Sequence, residues 1–159
     1  MDQAAFIARY GDIYEHSAWV AEAAWAQRNA DRPLADAMAA IVDAAGEDRQ
    51  LALLRAHPDL AGKLALANQL THASRSEQAG AGLDACTPEE LAEFRDLNAQ
   101  YTAKFGFPFI FAVKGYHRHD ILAAFRERIG HGPAQEFAEA LRQVHRIARL
   151  RLEALELNA

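Results

Sequence analysis

The 159-residue sequence contains one cysteine, Cys86, so no intrachain disulfide is available and a reducing compartment is expected. No apolar run approaches the roughly 20 residues a bilayer-spanning helix needs, and no membrane partner is expected. The formal net charge is −5 with no long Lys/Arg run, which argues against a nucleic-acid groove. A basic leader followed by an apolar stretch is missing at the N-terminus, and Leu157-Asn158-Ala159 is not a peroxisomal address; a cytoplasmic protein is expected. Gly-rich phosphate loops, nucleophile elbows and signature Cys/His pairs are absent too, so nothing calls for a cofactor. Without repeats, low-complexity tracts or linkers, residues 1–159 read as a single domain.

What is present favours helix. Apolar residues make up 51% of the chain, enough for a core, and alanine is heavily used. Phe6, Ile7 and Tyr10 form a short helical stripe ended by Gly11. Ser17 is the expected cap of a helix through about Gln27, with Trp19, Val20, Ala23 and Trp25 as core. Pro33 opens a helix bearing Leu34, Met38, Ile41 and Val42, ended by Gly46. Glu47 to Ala56 follows, with Leu51, Ala52 and Leu54 near one face. Leu60, Leu64, Ala67 and Leu70 continue a helical period, and the pattern then weakens between Thr71 and Cys86. Thr87-Pro88-Glu89-Glu90 carries a cap, a proline at the first helical position and a capping box, starting a helix through Phe105. Helices from about Asp120 to Ile129 and from Pro133 to about Leu157 complete an all-α bundle of about seven to nine helices.

Three places carry candidate chemistry. His57-Pro58-Asp59-Leu60 lies where a helix must stop, because a residue before proline is pushed toward extended dihedrals. Pro58 then opens the next turn and Asp59 accepts its orphan N–H groups. His57 would sit past a helix C-terminus, where the macrodipole favours the imidazolium, or it is merely a solvated corner. Ser74-x-x-Glu77 matches a capping box; alternatively Glu77 and Gln78 point into a pocket and hold a substrate's N–H and C=O groups. Phe107-Pro108-Phe109-Ile110-Phe111-Ala112-Val113 is apolar and β-prone but has no partner strand. It reads as a binding edge whose backbone groups need partners, or as a helix or core-crossing loop. His117-x-His119 is too sparse for a metal site, which needs three or four converging ligands. His16 and His145 read as structural or solvent-facing.

Together, His57-Pro58-Asp59-Leu60, Ser74-Arg75-Ser76-Glu77-Gln78 and Lys104-Phe105-Gly106-Phe107-Pro108-Phe109-Ile110, in this order and spacing, resemble the OHCU decarboxylase family. OHCU is 2-oxo-4-hydroxy-4-carboxy-5-ureidoimidazoline, the last intermediate of urate oxidation before allantoin. The resemblance runs from Phe6 and Glu15-His16-Ser17 to Ile147-Ala148-Arg149-Leu150-Arg151-Leu152. It implies an all-helical, cofactor-free lyase, a homodimer, that releases CO2 and leaves (S)-allantoin. Eukaryotic relatives often carry a peroxisomal signal, and this sequence departs from them there.

The same resemblance implies catalytic roles for His57, as proton donor, and for Glu77. It makes Pro58, Ser74, Arg75, Ser76, Glu77, Gln78, Phe109, Ile110, Phe111, Ala112 and Val113 substrate-binding positions. Arg151 matches an arginine of the family's closing helix and is carried over as a further binding position. Glu77 either grips the ureido and ring N–H groups or orients His57. Such a reaction needs donors where negative charge develops, exclusion of water, and a fixed acid on one face of the carbanion.

Overall fold

A computed structural model describes residues 1–62 and 69–157. Among the described residues it holds eight α-helices, one 3-10 turn and no strand. These are α1 (Gln3–Tyr10), α2 (Trp19–Ala26), α3 (Leu34–Ala44), α4 (Glu47–Arg55), α5 (His72–Gly80), the 3-10 turn Leu83–Ala85, α6 (Pro88–Phe105), α7 (Arg118–Arg128) and α8 (Pro133–Leu157). The all-α class and the number of helices agree with the sequence pattern. The chain divides into two compact units, Met1–His57 with Val144–Ala159, and Pro58–Gln143.

In the first unit, α1 is capped by the Asp2 carboxylate, which accepts from the Ala5 N–H at 2.9 Å. Gly11 follows because a Cβ there would lie 2.6 Å from the Ile7 carbonyl oxygen. Ser17 does not cap α2 as expected. Its hydroxyl donates to the Glu15 carbonyl at 2.8 Å, within the tight loop where His16 adopts φ 48°, and Ala18 precedes the helix instead. Trp19 and Trp25 are only half-buried, each lying under an arginine (Arg49 and Arg28), while Ala21 and Ala24 face the core. Pro33 precedes α3 rather than opening it, and Gly46, at φ 91°, belongs to the start of α4. The buried face of α4 is Leu53 and Leu54; Leu51 is half-buried and Ala52 exposed, one step from the expected stripe.

The second unit begins at Pro58. The helical continuation expected through Leu64 and Ala67 lies outside the described residues, and Leu70 stands in a bend before α5. That helix occupies the stretch whose apolar pattern weakens, and its buried side chains are polar: Ser74 and Gln78, one turn apart. Helix α6 matches expectation in full, with Thr87, Pro88 and Glu90 forming the capping box and Gly106 turning out at φ 80°. Helix α7 starts earlier than expected because His117 caps it, with the Asp120 side chain accepting from the His117 N–H at 2.9 Å.

Candidate active site

His57 lies two residues beyond the end of α4, and its surroundings in the first unit fix its chemistry. The backbone N–H reaches the Leu54 carbonyl at 3.2 Å, tightening the last turn. Ring Nδ1 lies 2.8 Å from the Leu53 carbonyl oxygen. A carbonyl only accepts, so the Nδ1 position carries the proton, and in the neutral ring the lone pair stands on Nε2. Burial pushes the imidazole down to about 4; the Leu53 bond and the Glu15 carboxylate oppose this, and Arg151 and His16 add to it. The expected dipole-stabilised imidazolium is thus corrected. Desolvation outweighs the helix end, and the ring is neutral near pH 7.

Glu15 and Arg151 form a buried pair in the same unit. Arg151 Nη2 donates to Glu15 Oε2 at 2.7 Å, and Nη1 donates to the carbonyls of Asp12 at 3.1 Å and Ile13 at 3.5 Å. The guanidinium therefore ties the loop between α1 and α2 to α8, a bidentate use suited to its planar fork. His145, on the same helix as Arg151, is bonded to the Tyr14 hydroxyl at 2.8 Å and to Asp43 at 2.9 Å.

In the second unit, Gln78 clamps the turn after Pro58. Its Oε1 accepts from the Ala61 N–H at 3.0 Å and its Nε2 donates to the Asp59 carbonyl at 3.3 Å. Ala61 adopts φ 50°, so this clamp holds a conformation that a residue with a Cβ seldom takes. The turn is thus fixed by an amide from α5, and the helical turn expected to follow it, which Asp59 was to cap, lies outside the described residues. Asn98, on α6, donates to the Leu60 carbonyl at 3.0 Å, and its buried Oδ1 has no partner among the described residues. Sequence reading passed over Asn98, which looks like one more member of an apolar stripe.

The Ser74-x-x-Glu77 capping box is not formed. Thr71 is the cap, its Oγ1 accepting from the Ser74 N–H at 3.2 Å, so Ser74 lies inside the helix and is buried. Glu77 is half-buried, whereas Arg75 and Ser76 are exposed. Capping thus no longer explains the side chains of Ser74 and Glu77.

The 107–113 segment is irregular, without helix or partner strand. Phe109, Ile110, Ala112 and Val113 are buried and Phe111 half-buried. Phe109 stacks on Phe125 with ring centroids 3.9 Å apart and lies under the Arg128 guanidinium. Arg128 Nη1 donates to the Ile110 carbonyl at 2.6 Å, and the Gln143 side-chain oxygen accepts from the Ala112 N–H at 2.9 Å. Arg128 is anchored from behind by fully buried Glu136, which also accepts from the Tyr101 hydroxyl at 2.5 Å and meets His131 at 2.9 Å. Burial raises the Glu136 carboxyl, but the Arg128, Tyr101 and His131 contacts outweigh it and hold the group below its usual range. None of these supporting residues belongs to a motif recognisable in sequence.

His117 and His119 are accounted for otherwise. His117 caps α7, and His119 Nε2 lies 3.0 Å from Glu90, which also pairs with Arg118 at 2.9 Å. No group of three metal-ligating side chains occurs among the described residues.

Comparison with known proteins agrees with the motifs. The OHCU decarboxylase family profile matches residues 1–153. A 2-oxo-4-hydroxy-4-carboxy-5-ureidoimidazoline decarboxylase of Haloferax volcanii is 43% identical over 154 residues, 96% of this chain and 89% of that protein. The uric acid degradation bifunctional protein PucL of Bacillus subtilis is 40% identical over 96% of this chain, which spans 30% of it. A solved (S)-allantoin synthase superposes with a TM-score of 0.77 at 39% identity, covering 98% of this chain and 51% of the other. The chain belongs to the OHCU decarboxylase family.

Proposed function

We propose that this chain decarboxylates OHCU to (S)-allantoin in urate degradation, as a cofactor-independent carboxy-lyase whose two units act as one domain. The observation that carries the reading is the family match along almost the whole chain. The state of His57 supports it. Breaking the bond to CO2 leaves an electron pair spread over the ring carbon, its neighbour and the adjacent imine nitrogen. The ring hydroxyl loses its proton and becomes a carbonyl. One proton then reaches the ring nitrogen and one the ureido-bearing carbon; the hydroxyl supplies one and solvent the other.

A neutral imidazole with Nδ1 engaged and Nε2 bare suits this sequence. In the proposed mechanism Nε2 takes the hydroxyl proton as a base and returns it as an acid to one face of the carbon. The burial that depresses the imidazole favours its giving the proton up again. Glu77 and Gln78, with Pro58, Ser74, Arg75 and Ser76, are read as the substrate-binding run. The segment Phe109, Ile110, Phe111, Ala112 and Val113 is read as a substrate-binding edge, its backbone N–H groups other than that of Ala112, which Gln143 accepts, serving as donors for the charge developing in the ring, in apolar surroundings that keep water out. Arg151 is read as supporting the His57 environment through Glu15.

Fresh OHCU mixed with the purified protein tests the reading. CO2 release well above the uncatalysed blank is expected, surviving exhaustive chelation. Release matching the blank would overturn it. The further readings are a homodimer, which the family resemblance implies, working in the cytoplasm on a small-molecule substrate; sedimentation at assay concentration tests the dimer.

A further inference from the structure

We propose that Arg128 and Gln143 are positioning residues that hold one edge of the Phe109–Val113 segment, leaving its opposite edge to pair with the amide-rich substrate. This rests on the functional reading above. The rings of Phe109 and Phe111 stack on one side with centroids 6.1 Å apart and planes inclined by 15°, the period of two that an extended chain shows. In such a chain the N–H and C=O groups of alternate residues point to opposite edges. Ile110 and Ala112 thus share an edge, and Phe109, Phe111 and Val113 share the other.

The first edge is the one held by side chains, at two of its four groups. Arg128 gives an N–H to the Ile110 carbonyl and Gln143 gives an oxygen to the Ala112 N–H. A donor and an acceptor placed two residues apart do here what one residue of a parallel neighbouring strand would do. Both are themselves fixed: Arg128 by the buried Glu136 carboxylate at 2.9 Å, Gln143 by donating to Glu139 at 2.9 Å. On the second edge the Val113 carbonyl accepts from Tyr116 at 3.0 Å. The N–H and C=O of Phe109 and Phe111 and the Val113 N–H have no partner among the described residues, and on the first edge the same holds for the Ile110 N–H and the Ala112 C=O. A buried backbone group without a partner is costly, so an edge kept in this state is matched to a ligand that supplies one. A cyclic ureide with a pendant urea presents N–H and C=O side by side, which is the complement such an edge needs.

The two side chains therefore act through the backbone and touch no substrate atom. Their removal shifts the edge and so the face from which the carbanion is protonated. Gln143→Leu and Arg128→Lys test this, the lysine keeping a cation beside Glu136 but unable to serve both Glu136 and Ile110. Circular dichroism in the far ultraviolet checks each fold. For a folded variant, kcat/KM on OHCU is expected to fall on the order of 10²-fold, the scale for a misplacement of about 1 Å. The allantoin formed above the blank also loses enantiomeric purity, which a merely structural role would not change. An active wild type whose two variants match it in kcat/KM and in purity overturns the inference alone. A wild type without activity overturns the functional reading itself.

Discussion

Nδ1 of His57 stands 2.8 Å from the carbonyl oxygen of Leu53, in the last turn of the preceding helix, so the catalytic candidate is bonded back to the element it follows. This ties ring orientation to α4 and leaves Nε2 as the working nitrogen. It also couples stability to pH. The native ring resists protonation down to about pH 4, whereas an unfolded histidine accepts a proton near 6.5. The unfolded state therefore binds more protons between those values, and stability falls as pH drops through that window. His57 alone accounts for on the order of 3 kcal/mol. Urea unfolding at several pH values should show wild type losing more stability than His57→Gln between pH 6.5 and 4. Parallel losses would contradict a neutral buried ring.

The Arg151–Glu15 pair separates a structural arginine from a ligand-binding one. Removing one member of a buried pair leaves the other uncompensated, at about 3–5 kcal/mol. Arg151→Met is expected to lose stability on that scale in chemical denaturation, and Arg151→Met with Glu15→Gln should recover much of it. A variant of unchanged stability and raised KM would assign Arg151 to the substrate instead.

Helix α5 offers a contrast between two residues of one segment. Thr71→Ala removes the cap and is expected to cost about 0.5–2 kcal/mol. Glu77→Gln touches no capping bond of α5 and is expected to lose most activity in protein that circular dichroism shows to be folded. Should Glu77→Gln melt early and turn over normally, the carboxylate is structural and the binding role of the run fails.

Much of the fold was legible in the sequence because its signals were local. Thr87-Pro88-Glu89-Glu90 and Gly106 bound α6 through capping and a positive φ alone. Legibility failed where a distant partner decided the outcome. Ser17 looked like a cap, yet Glu15, engaged by Arg151 from the far end of the chain, sits in the loop that takes its hydroxyl. Ser74 looked like a cap as well, because nothing local ranks it below Thr71. The motifs gave His57 its place but not its charge, since burial is a property of the assembled unit. The support of the 107–113 segment was invisible for the same reason. Arg128, Glu136 and Gln143 read as ordinary polar positions of two amphipathic helices until the chain brings them to that backbone.

The hand of the allantoin formed is the most direct test of His57 as the group that delivers the proton. Wild type and His57→Gln are each given fresh OHCU, and the ellipticity of the product is followed against a protein-free blank. The account predicts (S)-allantoin from wild type, and only the slow racemic background from a folded His57→Gln. An (S)-enriched product formed at the wild-type rate by His57→Gln would contradict it.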